Sequence, residues 1–179
     1  MTDDTALLQA LAVIQERGAI GEASLERAVE HADCYAACIP RAAVSLADLG
    51  SGGGLPGLVL AVRCPWVRIT LIERRTKRAD LLQRAVRALD VADRVSVVAD
   101  DVQRVASSAS HSFDVVTARS FAAPPITLRW ASELLTTGGL LLVSEPPEED
   151  PARWPIGELE ARGMADLGRE QGIRRFERR

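Results

Sequence analysis

Residues 46–57, LADLGSGGGLPG, constrain the fold of this chain more than any other stretch: an apolar run closes on an aspartate and is followed by five glycines within eight positions. The run AVSLADL (43–49) has no polar alternation, as expected of a strand buried on both faces. LPGLVLAVR (55–63) then reads as a helix with Pro56 in its first turn, where a missing N–H costs nothing. Glycines at 50, 52 and 54 let the backbone between them adopt positive φ and approach a ligand closely. A strand, a glycine-rich turn and a helix open an α/β fold with a parallel sheet.

The remaining sequence repeats that alternation. VRITLIE (67–73), RVSVVAD (94–100), FDVVTAR (113–119) and GLLLVSE (139–145) predict further strands. TKRADLLQRAVRALD (76–90) and PPITLRWASELLT (124–136) predict amphipathic helices between them. Apolar residues at helical spacing over 5–17 and 22–38 predict two leading helices, and a weaker helix is expected near 152–162. MADLGR (164–169) and IRRFER (173–178) can pair as a terminal hairpin. The expected architecture is a Rossmann-like, mostly parallel seven-stranded sheet with helices on both faces, built by right-handed crossovers. A short helical N-terminal lead (1–42) precedes the ligand-binding domain (43–179).

Charge narrows the partners. The net charge is -3, which argues against coating nucleic acid by bulk electrostatics. Between Arg63 and Arg94, however, nine basic residues face four acidic ones, and Arg174, Arg175, Arg178 and Arg179 form a second basic cluster. A solvated helix face explains such runs as readily as a binding surface does. Cys34, Cys38 and Cys64 fit no metal-ligand spacing and are expected to be reduced thiols, so no metal is expected. No apolar run reaches the roughly eighteen residues that span a bilayer. The opening Met-Thr-Asp-Asp lacks the basic and apolar regions of a secretory signal, so a cytoplasmic location without membrane association is expected.

A glycine-rich turn after the first strand lies at the carboxyl edge of the sheet, where nucleoside-bearing ligands bind. Two cofactors compete for it. Gly52-x-Gly54-x-x-Gly57 satisfies the dinucleotide fingerprint, and Glu73 follows Gly52 by twenty-one residues, in place for a ribose diol. Asp48, Gly50 and Gly52 satisfy the S-adenosylmethionine pattern equally, and Glu73 serves both. Asp48 discriminates, because an acid two residues before the first glycine attracts a sulfonium and repels a diphosphate. Asp100 and Asp101, ending the third strand, suit an adenine amino group. The methyl donor is favoured over NAD, and no catalytic dyad of an oxidoreductase follows downstream.

The segments DLGSGGGLPGLVLA, ITLIERRTKRADLL, FDVVTARSFA and GGLLLV, in that order and spacing, resemble the RsmG (GidB) family of bacterial methyltransferases over about residues 25 to 145. That family methylates ring nitrogen 7 of a guanine in small-subunit ribosomal RNA. The resemblance implies that Gly50 and Leu55 line the donor pocket, with Asp48, Ser51, Gly52, Gly54 and Pro56 completing the loop around it. It puts Glu73, with Arg74 beside it, on the ribose, and the turn at Asp101, Val102 and Gln103 near the adenine. Arg119 is placed beside the donor where substrate enters, as the candidate catalytic residue, and His31 matches a histidine of the family's helical lead. The implied partner is ribosomal RNA or the small ribosomal subunit. A guanine ring nitrogen offers an in-plane lone pair, so alignment rather than a general base is required. Glu145, Glu148, Glu149 and Asp150 stand where the family carries a lysine-bearing turn. That acidic loop keeps a second reading open, a relative that binds the donor in a regulatory role without modifying RNA.

Overall fold

In the computed structural model of the chain, which describes residues 4–148, 150 and 152–179, a seven-stranded sheet runs in the order β3-β2-β1-β4-β5-β7-β6. The strands are β1 (Ser45–Leu49), β2 (Arg68–Ile72), β3 (Val95–Val98), β4 (Phe113–Ala118), β5 (Leu135–Ser144), β6 (Met164–Glu170) and β7 (Ile173–Arg178). β1 to β5 pair in parallel, and β7 joins β5 antiparallel with β6 beside it, so the terminal hairpin is an edge extension of a parallel sheet. Strand order reverses between β1 and β4, which opens a crevice at their carboxyl ends.

Successive residues on each strand point to opposite faces, and two cores result. Leu46, Ile69, Leu71, Val115 and Leu142 join one core with helices α1 (Thr5–Glu16), α2 (Leu25–Cys38), α3 (Gly57–Arg63) and α4 (Thr76–Ala88). Ala47, Leu49, Ile72, Val116 and Leu141 join the other with α5 (Val102–Ser108), α6 (Pro124–Leu134) and α7 (Ile156–Ala161). Both faces are therefore covered, as a sheet of near-continuous apolar strands requires.

The helical lead shares the first core. Leu7, Leu11 and Ile14 of α1 and Val29, Ala32 and Tyr35 of α2 are buried against it. Arg63, at the end of α3, makes two hydrogen bonds to the Asp4 carboxylate (2.6 and 2.8 Å) and a third to Asp33 (2.8 Å), tying three helices together.

Three elements differ from expectation. α5 was not expected; Asp101 caps it by accepting from Gln103 N–H at 3.0 Å, and Val102, Val105 and Ala106 bury its one apolar stripe. β5 begins at Leu135 rather than 139: Leu135 pairs with Phe113, the register shifts, and Leu140 pairs with Val115, with Gly138 at φ 80° inside the irregularity. Pro56 sits at the cap position of α3 after a cis peptide bond with Leu55, one residue before the first turn. Among the described residues, no helix is long and apolar enough to cross a membrane.

Candidate active site

The turn from β1 to α3 is positioned from below by Asp48. Its Oδ1 accepts from the Thr117 hydroxyl of β4 at 2.7 Å, while Oδ2 is buried without a partner. Burial pushes the carboxyl up to about 6, with the Thr117 hydrogen bond pulling the other way. The Ser51 hydroxyl donates to the Asp48 carbonyl at 3.0 Å, and Ser51 N–H donates to the Ile72 carbonyl at 2.9 Å, which pins the loop to the tip of β2. The loop is also held from outside: a Cβ on Gly53 would run into Ile20 and the Ala19 carbonyl, because the turn after α1 rests on it.

Beside this loop lies a cleft of about 400 Å³ at the carboxyl edge of the sheet. That volume is within the usual size of small-molecule sites, roughly 300–1,000 Å³. Glu73, at the tip of β2, is on its wall and only 5% exposed. Its Oε2 accepts from Gly52 N–H at 2.9 Å and its Oε1 from Arg75 N–H at 2.8 Å, so one carboxylate is aimed by two backbone donors. Asp100 and Asp101 form the wall beyond β3, with Asp101 Oδ2 lying 4.0 Å from Arg74 Nη1. Across the cleft stand Phe121, Ile126 and Trp130, from the segment after β4 and from α6. Phe121 explains Gly50: a Cβ there would lie 2.7 Å from Phe121 Cδ2, and the residue holds φ 61°.

Of the expected site residues, Gly50, Glu73, Arg74, Asp101 and Val102 line this cleft. Asp48 lies in β1 beneath the turn, Ser51, Gly52, Gly54, Leu55 and Pro56 lie in the supporting turn rather than on the wall, and Gln103 is exposed on α5. Arg119 follows β4 with Nη1 buried and unpartnered, close enough to Asp48 and His31 to act on both electrostatically. His31 is held below its ordinary range by burial and by that guanidinium. It meets Tyr35 edge-on at 5.9 Å, and the Tyr35 hydroxyl donates to the Ala118 carbonyl at 2.9 Å. Sequence reasoning missed Phe121 and Ile126 as wall residues; Phe121 falls within the segment FDVVTARSFA but was given no role, Ile126 sits in no motif, and the path of the chain after β4 brings both to the cleft.

The acidic loop after β5 is less acidic at its surface than its sequence suggests. The Glu145 side chain is 5% exposed and its Oε1 accepts from Trp154 Nε1 at 3.0 Å and from Arg153 Nε at 3.1 Å. Glu148 and Asp150 are exposed, and Glu149 lies outside the described residues.

A family model described as GidB, rRNA small subunit methyltransferase G, matches residues 24–147. The chain is 40% identical over 117 residues to Ribosomal RNA small subunit methyltransferase G of Rubrobacter xylanophilus, covering 64% of this chain and 44% of that protein. It is 36% identical over 135 residues to the protein of the same name from Stenotrophomonas maltophilia, covering 72% of this chain and 62% of that one. The chain thus spans about half the length of the curated relatives it matches. Among solved structures, a methyltransferase from Geobacter sulfurreducens shares the fold with a TM-score of 0.70 at 13% identity, covering 100% of this chain and 92% of that one. An O-methyltransferase from Bacillus cereus in complex with SAH does so with a TM-score of 0.64 at 17% identity, covering 98% and 90%. The glycine turn, the acid at the tip of β2 and the match over residues 24–147 converge on one assignment: the chain belongs to the rRNA small subunit methyltransferase G (GidB) family.

Proposed function

We propose that the chain transfers a methyl group from S-adenosylmethionine to ring nitrogen 7 of a guanine in small-subunit ribosomal RNA. The observation that carries this reading is the Glu73 carboxylate, buried at the tip of β2 and aimed into the cleft by Gly52 and Arg75 N–H groups. Family membership and the names of the curated relatives support the substrate. A cytoplasmic location, with the small ribosomal subunit as partner, goes with that substrate.

The residues present fit such a donor. Glu73 has lone pairs left for ribose hydroxyls, and Asp100 and Asp101 present acceptors on the β3 side for an exocyclic amine. Gly50 adds no side chain of its own to the cleft, which lets Phe121 pack against it, and Phe121 and Trp130 supply an apolar wall. Beneath the turn, Asp48 and Arg119 offer one buried unpartnered atom each, and we assign Arg119 to orienting the donor's methionine end and the incoming base. When bound, the donor supplies an electrophilic methyl group on a sulfonium. The protein's own task is alignment, because the guanine lone pair needs no proton removed before it attacks.

Calorimetry tests the donor pocket. Wild type is expected to bind S-adenosylmethionine in the micromolar range, with no detectable binding by Gly50→Asp or Glu73→Ala; absence of binding by wild type removes the reading. Mapping guanine methylation in small-subunit rRNA from cells with and without the gene tests the substrate. A modification lost on deletion excludes a purely regulatory relative.

A further inference from the structure

A groove of about 580 Å³ runs between the turn after α1 and the start of α4, and Arg17, Arg75, Lys77 and Arg78 stand along it. Arg75 and Arg78 also line the cleft beside Glu73, so the groove and the cleft are one continuous surface. We propose that this groove is a track for the RNA phosphate backbone next to the base presented to the cleft, an inference that rests on the methyltransferase reading above.

Charge carries the argument. Several cations of the fold are paired: Arg63, Arg104, Arg129, Arg153, Arg162 and Arg175 each have a carboxylate within 4.0 Å. Among the described residues, none of the four groove cations has one. Three of them occupy the cap and the first turn of α4, which holds no acid. Cations at that end of a helix oppose its macrodipole, an unfavourable placement against which the chain sets one carboxylate, Glu73, bound to Arg75 N–H. An external polyanion offsets it. Since the whole chain carries a net charge of -3, the attraction is local to this groove rather than general.

The groove also suits an extended anion better than a compact one. Its cations are spread over two elements, the turn after α1 and the start of α4, and two of the four lead directly to the reaction cleft. A backbone running along them has successive phosphates neutralised while one base turns into the cleft. Phosphate contacts of this kind fix register, and register decides which guanine meets the donor.

The test uses Arg17→Ala/Lys77→Ala, because both residues are exposed and neither lines the cleft. The probe is a fluorescein-labelled RNA hairpin with a guanine in its single-stranded loop, titrated by anisotropy across a KCl series, with S-adenosylmethionine binding measured in parallel. The double variant is expected to lose about tenfold or more in RNA affinity, and the slope of log affinity against log salt to become shallower by about 1.4, roughly 0.7 for each lost single-strand phosphate contact. Donor affinity stays at the wild-type value, which also reports an intact fold. Unchanged RNA affinity and slope overturn the groove while leaving the donor reading in place, and so does a wild type that binds donor but not the hairpin. A double variant that loses donor affinity as well also overturns the groove as a separate RNA track. Conversely, a wild type that binds the hairpin through these residues but no donor sinks the methyltransferase reading and leaves the groove standing.

Discussion

Burial raises the Asp48 carboxyl from its ordinary 3.8 to about 6, because the β1 tip lies beneath the glycine turn with one oxygen unpartnered. Between those two values the folded chain holds a proton that the unfolded chain has already released. The contribution of Asp48 to stability is therefore greatest at low pH and declines as pH rises through that window. An Asp48→Asn chain does not titrate there. The unfolding free energy of wild type minus that of Asp48→Asn is expected to fall by on the order of 3 kcal/mol from below pH 4 to above pH 6, then to level off. Urea melts of both proteins over that range check it, and a difference independent of pH would show that Asp48 is not buried in the charged-averse setting described. Glu73 makes a separate point at this scale. Removing its carboxylate in Glu73→Ala leaves the Gly52 and Arg75 N–H groups without their acceptor, at a cost of about 1–3 kcal/mol beyond the loss of donor binding. A Glu73→Ala chain with wild-type thermal stability would mean that the carboxylate holds ligand only and not the loop.

The helical lead acts on the site as an element, through two contacts. Its turn rests on Gly53, and Arg63 ties α3 to Asp4 and Asp33. Arg63→Ala is expected to cost about 1–2 kcal/mol, since both carboxylates keep partial solvent access, and Arg63→Lys to recover little of it, because an ammonium cannot make the two parallel bonds to Asp4. The Arg63 hydrogen bonds hold the Asp4 carboxyl below its ordinary range. That stabilisation is present above the unfolded value near 3.8 and is lost as pH falls through the lower, folded one. Denaturation midpoints of the three proteins, with hydrogen exchange in α1 as the local readout, check the ordering; equal midpoints would mean that the clamp contributes nothing.

At the element scale, most of the architecture was legible because the parallel strands are mostly apolar runs, the terminal hairpin is marked by its glycine turn, and each long helix has one apolar stripe. α5 was not, since its stripe is only Val102, Val105 and Ala106 and a serine-rich stretch follows directly. The early start of β5 was hidden by Gly138 and Gly139, which read as a turn and are part of an irregularity within the strand. In the site, Glu73 and Gly50 were legible from their places relative to the first two strands. Phe121, Ile126 and Arg17 were not, because their neighbours across the cleft and groove come from distant parts of the sequence; Arg75, Lys77 and Arg78 stood out only as part of a basic run that a solvated helix face explains as readily.

For the whole molecule, the cleft takes residues from both sides of the sheet. Arg75 and Arg78 belong to the start of α4 and its core, Val102 and Trp130 to α5 and α6 and the opposite one, and Glu73 to the strand tip between them. Strands β1, β2, β4 and β5 send alternate side chains into both cores, so neither core survives the loss of the other and unfolding is expected to be a single transition. A ligand bound only by the folded chain then stabilises the entire structure by mass action, about 2.7 kcal/mol at a hundred times its dissociation constant. For a chain of this length that corresponds to a rise in Tm of roughly 5–10 °C. Scanning calorimetry with S-adenosylmethionine at that excess is expected to move one peak upward intact, and to move nothing in Glu73→Ala. Two peaks, of which the donor shifts only one, would mean that the cores unfold separately and that the cleft belongs to just one of them.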